Sequence, residues 1–570
     1  MLKISNNNLN VNYYKDNDYK NYQNVDQKEI KPDQEIKLSK VPVMGLVSFT
    51  GHNTLQQIQA LRNEVAKKCE INTKSSLLSW ESETQDVSDE RQDEIAKQQT
   101  ELALKLKERA TSPRIGILLD QLKDTKRLNK IDKAIIRDTQ KSFDEETKIP
   151  SEFTAEWADL TSRSPDIWAK ARKNDKYEDF EDTLSTIFNK SREKAGYLSK
   201  TDSPYNVLLD NYEPGMNTDM LDKLFGELRK DLVPLVKQIQ EKVDANPKIN
   251  EFEFLNRPVD IKKMEEFSQE VAKDMGFDFS RGQIGKSAHP FTIWIDSPKD
   301  VRFTLSDLSK KPDFKQATVA DCIEMISTLM HEAGHGLVEQ GADESLHKTG
   351  LTGATMGIHE SQSRLWENMV GRSKPFWKHY YPKLQEKIPE LKDIDLDKFY
   401  CAVNRVQPSI IRTAADEATY NLHIMLRYDL EKDLMKPNGN IKEKVKDLPQ
   451  QWNKKMNEYL GITPKNNAEG VLQDIHWSCG DIGYFPSYTI GNLASAQIYN
   501  KAKEEIPDLE KRIENGDLKT LHNWLKEKMY KNGTVDTPDE ILKNVTGESL
   551  NPKYFADYLK NKYSEIYDLK

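Results

Sequence analysis

Apolar residues recur at helical spacing along most of this chain. Near its beginning, one predicted helix has a face that carries Leu55, Ile58, Leu61 and Val65. The same spacing predicts further helices over residues 88–106, 115–122, 131–143, 156–173 and 220–243. The many charged residues within these segments are expected to lie on solvated faces. The pattern therefore predicts a mainly α-helical protein.

The chain divides into two parts of different composition. Residues 1–45 contain mostly Asn, Lys, Asp, Gln and Tyr, so we expect a polar, mobile extension with little to bury. Residues 46–570 contain neither an internal repeat nor a Gly/Pro-rich linker. We therefore expect them to form a single large helical domain.

The helical spacing breaks over residues 289–305, HPFTIWIDSPKDVRFTL. Apolar residues alternate on both sides of the DSPKD turn, which predicts a β-hairpin close to the helix that follows. In the second strand, Arg302 and Thr304 point away from the apolar side. Arg302 then either projects into a groove or is an exposed arginine on an edge strand.

The helix predicted over residues 320–340 carries the main candidate chemistry. His331 and His335 lie about one turn apart, so both imidazoles can reach one metal ion. Glu332 is rotated by about 100° from His331, where a general base for a metal-activated water belongs. The ordinary alternative is a buried histidine pair beside a surface glutamate. With 10 His in 570 residues, a chance H-E-x-x-H has odds of about one per cent, so we favour a metal site.

Two histidines leave a zinc-type site short of a third protein ligand. The next predicted helix, IHESQSRLWENMVGR, offers Glu360 first, with His359 and Glu367 as alternatives. Glu360 also lies four residues before Arg364, so an ion pair along the helix would explain it equally well. Spacing alone leaves the choice open.

A further helix is predicted to start near Pro408 and to continue to residue 434. Arg412 and Asp416 lie four residues apart on it, and a structural ion pair is the ordinary explanation. His423 falls in an apolar stretch, so we expect it to be an interior residue. This helix therefore supplies one buried charged pair whose role the spacing alone does not define.

Residues 470–488, GVLQDIHWSCGDIGYFPSY, predict a glycine-broken loop. The loop carries His476, Trp477, Tyr484 and Tyr488. Polar rings held on a loop can present hydrogen-bond donors to a ligand, although ordinary loop packing also accounts for them.

Composition excludes several classes of protein. The net charge of -9 argues against a nucleic-acid partner, which would need a basic face. The N-terminus has no apolar signal-peptide region, and its longest apolar run, VPVMGLVSF, is too short to span a bilayer. The 4 cysteines are scattered without CxxC spacing, which argues against a disulfide framework. We therefore expect a cytoplasmic protein that binds neither nucleic acid nor membrane.

Six motifs together resemble the carboxypeptidase Taq family of metallocarboxypeptidases. They occur in the family's order: HPF at 289–291, DVRFT at 300–304, HEAGH at 331–335, HESQ at 359–362, IRTAAD at 411–416 and GVLQDIHW at 470–477. The resemblance implies a nearly all-helical fold with a deep groove, a homodimer, and removal of single residues from peptide C-termini with broad specificity. It implies one divalent ion, zinc or cobalt, held by His331, His335 and Glu360. The polar N-terminal extension departs from the family pattern.

Within this resemblance, His476 and Tyr484 are the candidate donors to the negative charge that develops on the carbonyl oxygen. A terminal carboxylate favours the planar fork of arginine. We therefore nominate Arg412 first and Arg302 second as its anchor. Gln473, in the same motif as His476, is a further candidate substrate-binding residue.

Two other functions stay open. One is an endo-acting oligopeptidase or a dipeptidyl-type peptidase on the same scaffold. The other is a non-catalytic helical protein with a structural metal. Glu332 argues against the second, since a structural site needs no base and usually closes with four protein ligands.

Overall fold

Helices dominate the structure, as the spacing of apolar residues predicts. The computed structural model describes residues 52–310 and 314–569, and 70% of it is helical. The predicted mainly α-helical fold is therefore confirmed. The predicted polar extension, residues 1–45, lies outside the described residues, and the division into that extension and one domain stays a prediction.

The helices before the sheet are α1 His52–Thr84, α2 Asp89–Ala110, α3 Pro113–Leu122, α4 Lys130–Lys148, α5 Ser151–Asn174, α6 Glu178–Leu198, α7 Pro204–Tyr212, α8 Thr218–Ala245 and α9 Ile261–Met275. The three strands are β1 Gly282–Ser287, β2 Thr292–Asp296 and β3 Asp300–Ser306. The helices after the sheet are α10 Val319–Gly341, α11 Met356–Arg364, α12 Lys374–Lys387, α13 Leu396–Val403, α14 Tyr420–Leu434, α15 Ile441–Lys446, α16 Leu448–Leu460, α17 Pro486–Glu505, α18 Leu509–Glu514, α19 Lys519–Lys528, α20 Pro538–Thr546 and α21 Lys553–Tyr567.

The predicted N-terminal helices are present as α1 to α5 and α8. Along α1, Ile58, Leu61 and Val65 are buried against α3 and α4, as predicted. Leu55 is 69% exposed, so its assignment to the buried face is wrong.

The predicted hairpin is present and forms part of a three-stranded sheet. Strand β3 pairs antiparallel with β2 and parallel with β1, so β3 is the central strand. The interpretation of Arg302 as an edge-strand residue is therefore wrong. Strand β1, GQIGKS, was not predicted because its sequence lacks a clear apolar alternation.

The sheet lies between α1 and α10, which contact its strands from both sides. Trp80 of α1 packs with Phe291, Ile293 and Ile295, while Phe303 belongs to the main core. That core draws buried side chains from residue 168 to residue 567. The sheet consequently holds the candidate metal helix α10 against the main body of the protein.

Helix α10 begins at a capping box. The Thr318 side chain accepts a hydrogen bond from the Asp321 N–H, and the Asp321 carboxylate accepts one from the Thr318 N–H. Further along, Gly334 faces α11 at very short range: a Cβ there would lie 2.9 Å from the Gln362 carbonyl oxygen. The glycine therefore permits a backbone approach that no other residue allows.

The helix predicted to start near Pro408 begins only at Tyr420, so that prediction is wrong. The Asp416 side chain accepts hydrogen bonds from the backbone N–H groups of Gln407, Ala418 and Thr419 at 2.9–3.0 Å. A carboxylate that captures nearby N–H groups competes with the helix. Residues 412–414 form a single 3-10 turn instead, and the predicted pairing of Arg412 with Asp416 does not form.

None of the described helices combines the length and the apolar character needed to cross a bilayer.

The close contact at Gly334 predicts a large cost for a single methyl group. Gly334→Ala should lower the free energy of unfolding by about 1–3 kcal/mol or more, because the new Cβ meets backbone atoms of α11 that cannot rotate away. Thermal unfolding followed by circular dichroism would measure the loss.

The matched control is Gly226→Ala in α8, where a Cβ meets nothing within 4 Å. It should be neutral or stabilising by up to about 1 kcal/mol, since alanine favours helix more than glycine does. Equal melting temperatures for the two variants would contradict the proposed close packing of α10 on α11.

Candidate active site

Three side chains from α10 and α11 converge on one point. The Nε2 atoms of His331 and His335 lie 3.7 Å and 3.5 Å from Glu360 Oε2. Each of the three residues offers a ligand atom within 4.8 Å of the others. The buried His335 Nε2 has no hydrogen-bond partner among the described residues. Two imidazole nitrogens and a carboxylate oxygen form a donor set that fits a divalent ion such as zinc.

Both histidine rings are oriented through their other nitrogen. His331 Nδ1 lies 2.9 Å from Glu367 Oε2. His335 Nδ1 lies 2.8 Å from His359 Nδ1, and His359 Nε2 lies 3.0 Å from Glu339 Oε1. Such contacts fix the ring orientation and the tautomer of a metal-binding histidine. The structure thus places Glu367 and His359, the two alternatives for the third ligand, on the side of the rings away from Glu360.

Glu360 uses its two carboxylate oxygens for different partners. Oε1 accepts a hydrogen bond from Arg364 Nε at 2.8 Å, while Oε2 faces the imidazoles. The predicted ion pair and the predicted ligand position therefore coexist. Burial favours the protonated acid, but Arg364 and the histidines hold the pKa of Glu360 well below its usual value. Burial also holds the pKa of His335 well below its usual value, which keeps the ring in its neutral, metal-binding form.

Glu332 lies at the interface between α10 and the sheet and is 3% exposed. The hydroxyl of Thr292, on β2, donates a hydrogen bond to Glu332 Oε2 at 2.6 Å. The hairpin therefore contacts the candidate metal helix α10 directly through a hydrogen bond, in agreement with its predicted proximity. Thr292 itself was not singled out from the sequence, although it directly follows the HPF motif.

His476 and Tyr484, on the loop before α17, form a cluster with Tyr488 in the first turn of that helix. The His476 ring centroid lies 5.5 Å from that of Tyr484, and His476 Nε2 lies 3.4 Å from the Tyr488 hydroxyl. Burial, reinforced by the charge of Arg412, lowers the pKa of His476 to about 3. Burial also raises the pKa of Tyr484, and the nearby Glu360 raises it further. The cluster is consequently neutral at ordinary pH.

Helix α17 connects this cluster to Glu360, one of the three candidate metal ligands. Tyr488 lies one helical turn before Gly491, and a Cβ at Gly491 would lie 2.6 Å from Glu360 Cγ. The helix therefore rests directly on Glu360 through a glycine. The cluster of His476, Tyr484 and Tyr488 is therefore joined to Glu360 through one turn of α17, and the roles predicted for His476 and Tyr484 stay predictions.

Arg412 is buried beside the same loop. Its Nε and Nη2 donate to Asp474 Oδ1 at 3.0 Å and 2.8 Å, and its Nη1 donates to the Tyr420 hydroxyl at 3.0 Å. The Arg412 guanidinium also lies 5.2 Å from the ring centroid of Tyr488. The partner carboxylate is thus Asp474, 62 residues later in the sequence, which no local spacing could indicate.

Gln473 and Arg302 occupy different positions from Arg412. The Gln473 Oε1 accepts from the Arg412 N–H and from Arg427 Nη2, both at 2.8 Å, and its amide nitrogen donates to two backbone carbonyls. Arg302 donates to Asp300 and lies 5.4 Å from the ring centroid of Trp80. The side-chain amide of Gln473 is therefore hydrogen-bonded to other residues of the protein through both its oxygen and its nitrogen. Arg302 lies where the sheet contacts α1.

A model of the family described as "Carboxypeptidase Taq (M32) metallopeptidase" matches residues 60–563. The chain belongs to this family. It is therefore a metallocarboxypeptidase, an enzyme that hydrolyses peptide bonds with a divalent metal. The alternative of a non-catalytic metal-binding protein is accordingly set aside.

Several individual M32 proteins are similar to this chain over most of their own length. Carboxypeptidase 1 of Bacillus subtilis is 38% identical over 498 residues, which cover 86% of this chain and 95% of that protein. Thermostable carboxypeptidase 1 of Pyrococcus furiosus is 37% identical over 467 residues, covering 82% and 90%. The crystal structure of the M32 carboxypeptidase from Deinococcus radiodurans R1 has a TM-score of 0.84 at 32% identity and covers 90% of this chain and 100% of that one.

The geometry predicts a graded response of metal affinity. Glu360→Ala should weaken metal binding most, because it removes a converging ligand atom. Glu367→Ala should weaken it by about 10- to 100-fold, because it removes only the partner that orients His331. Titration with a competing chelator would measure both affinities.

The control for charge is Glu344→Ala, on the surface beyond the end of α10, which should leave the affinity unchanged. A larger loss in Glu367→Ala than in Glu360→Ala would exchange the roles assigned to these two carboxylates.

Proposed function

We propose that this enzyme removes single C-terminal residues from peptides with broad specificity, using one divalent ion held by His331, His335 and Glu360. The observation that carries the proposal is the convergence of these three ligand atoms, with the buried Glu332 next to His331 on the same helix. Zinc is the ion that this nitrogen and oxygen donor set suits best, and cobalt is the alternative. The ion, when bound, supplies a Lewis acid that polarises the scissile carbonyl and acidifies a water.

Glu332 is proposed as the general base. Its carboxylate would accept a proton from the attacking water and return it to the leaving amine. The hydrogen bond from Thr292 to Glu332 Oε2 supports this role, because it holds the carboxylate in one orientation.

His476 and Tyr484 are proposed as donors to the carbonyl oxygen. As the tetrahedral intermediate forms, negative charge develops on that oxygen and fixed donors stabilise it. The lowered pKa of His476 and the raised pKa of Tyr484 support the proposal, since a neutral imidazole and a protonated phenol both retain a hydrogen to donate.

Arg412 is proposed as the anchor for the terminal carboxylate, ahead of Arg302. Asp474 and Tyr420 engage three of its N–H groups, which leaves two of the five for a substrate. Its contact with Tyr488 places it beside the proposed donors, whereas Arg302 is engaged with Asp300 and Trp80. Gln473, which bonds the Arg412 backbone, is proposed to hold this arginine in place rather than to touch substrate.

The family resemblance and the composition support three further proposals. We propose a homodimer, a cytoplasmic location, and substrates that are peptides with free C-termini. The acidic net charge of -9 supports the absence of a nucleic-acid partner.

The function is tested by a mass-spectrometric time course on a peptide with a free C-terminus and on its C-terminally amidated form. The free peptide should lose single residues in order, a chelator should stop the reaction, and the amidated peptide should resist. Glu332→Gln should retain the metal and lose activity by several orders of magnitude, because the three ligands remain and the base is gone.

The matched control is Glu324→Gln, on an exposed position of the same helix, which should leave turnover unchanged. Internal cleavage of the amidated peptide would favour an endo-acting oligopeptidase. Normal turnover by Glu332→Gln with full metal content would remove Glu332 from the mechanism.

Arg412→Lys tests the carboxylate anchor separately from the chemistry. Lysine keeps the charge but loses the forked geometry, so kcat/KM for free peptides should fall by about 10- to 100-fold. Metal content should stay the same, because none of the three ligands contacts Arg412. Steady-state kinetics with Arg302→Lys as the comparison would decide between the two arginines, since a greater loss in Arg302→Lys would move the anchor to the sheet.

A further inference from the structure

Helix α14 carries a stripe of polar side chains that are buried rather than exposed to solvent. Tyr420, His423, Arg427 and Glu431 follow one another at spacings of three or four residues, so they share one face. Their exposed fractions are 8%, 0%, 0% and 0%. Buried polar groups need partners, and nearly all of these come from the two segments that carry Arg412 and His476.

Glu431 is the member of the stripe that bonds the chain neighbours of the proposed donors. Its Oε1 accepts a hydrogen bond from Trp477 Nε1 at 2.7 Å. Its Oε2 accepts from the Gly483 N–H at 3.0 Å and from the Tyr205 hydroxyl at 2.7 Å. One buried carboxylate thus receives two bonds from the catalytic loop and one from α7.

Both loop residues that bond Glu431 are chain neighbours of the proposed donors. Trp477 directly follows His476, and Gly483 directly precedes Tyr484. Glu431 therefore holds the loop at the residue next to each proposed donor. Its one carboxylate joins Trp477 to Gly483 and so bridges the loop residues between them. Glu431 itself lies outside all six sequence motifs.

We propose that Glu431 is a positioning residue that sets the placement of His476 and Tyr484 relative to the scissile carbonyl. This inference rests on the donor roles assigned to those two residues under the proposed function. It follows from chemistry as well as geometry: the indole N–H and the backbone N–H can only donate, so both need an acceptor at this point.

A carboxylate meets this requirement and an amide does not. In Glu431→Gln, the single amide oxygen can accept from one of the two loop donors, while the NH₂ group faces the other donor and repels it. One end of the loop would then move. A displacement of about 1 Å in a catalytic group can cost about 100-fold in rate.

The proposal predicts a selective kinetic defect. Glu431→Gln should lower kcat by about 10- to 100-fold with little change in KM, because His476 and Tyr484 act on charge that develops after substrate binds. Metal content and the circular dichroism spectrum should match those of the wild type. Trp477→Phe, which removes the N–H on the His476 side and keeps an aromatic ring, should show a smaller loss of the same kind.

Asp429→Asn is the matched control on the same helix. Asp429 also accepts several hydrogen bonds, but from Tyr459, Lys455 and Arg229 and not from the loop. It should leave kcat unchanged even if it lowers the melting temperature. An equal loss of kcat in Asp429→Asn would show that any weakening of α14 has this effect and would overturn the proposal.

A double-mutant cycle separates positioning from general stabilisation. In a His476→Ala/Tyr484→Phe background, with the residual rate measured at high enzyme concentration, adding Glu431→Gln should cost at most about twofold. An undiminished further loss in that background would overturn the role of Glu431 alone. Full activity of the His476→Ala/Tyr484→Phe enzyme would instead overturn the donor roles, and this inference with them.

Discussion

The active centre depends on the close approach of three helices at glycine residues. Gly334 lets α10 touch the backbone of α11, and Gly491 lets α17 rest on the side chain of Glu360. Larger residues would separate the helices, and the two imidazoles and the carboxylate would no longer converge. Each glycine weakens its own helix by about 1 kcal/mol relative to alanine. The two glycines thus lie at the positions where one helix packs closely on another to form the site.

Burial gives the centre a consistent protonation state. It lowers the pKa values of His335 and His476 and raises those of Tyr484 and Tyr488, so the first pair is neutral and the second pair keeps its hydrogens. Glu360 is the exception, because Arg364 compensates for its burial and keeps it ionised. The centre thus combines the ionised carboxylate of Glu360 with the neutral rings of His335, His476 and Tyr484. That distribution suits a site that holds a cation and stabilises charge only as it develops.

The sequence predicts features that depend on local periodicity and misses those that depend on distant partners. The helical fold, the hairpin and the position of His331, His335 and Glu332 follow from periods of 3.6 and 2 residues. The choice of Glu360 needed the family resemblance, because its spacing to Arg364 permits an ion pair that the structure also contains. Strand β1, the partner of Arg412 and the contacts of Glu431 join residues far apart in the chain, which leave no local pattern. The start of α14 was misplaced because a helical spacing cannot show that Asp416 captures the N–H groups of its own neighbours.

The buried stripe of α14 has a consequence for specificity. Through Tyr420 and Arg427 it holds the Arg412–Asp474 pair, and through Glu431 it holds the loop with His476 and Tyr484. If these residues act as proposed, the anchor for the terminal carboxylate and the donors to the scissile carbonyl are fixed to one rigid helix. An enzyme that removes one residue at a time needs a constant distance between those two groups, because the peptide bond it cleaves always lies one residue from the carboxylate. A loop without such ties would let that distance vary and would weaken the distinction between terminal and internal bonds. With the proposed roles, the buried hydrogen bonds of α14 would give the loop residues the positional precision that catalysis requires.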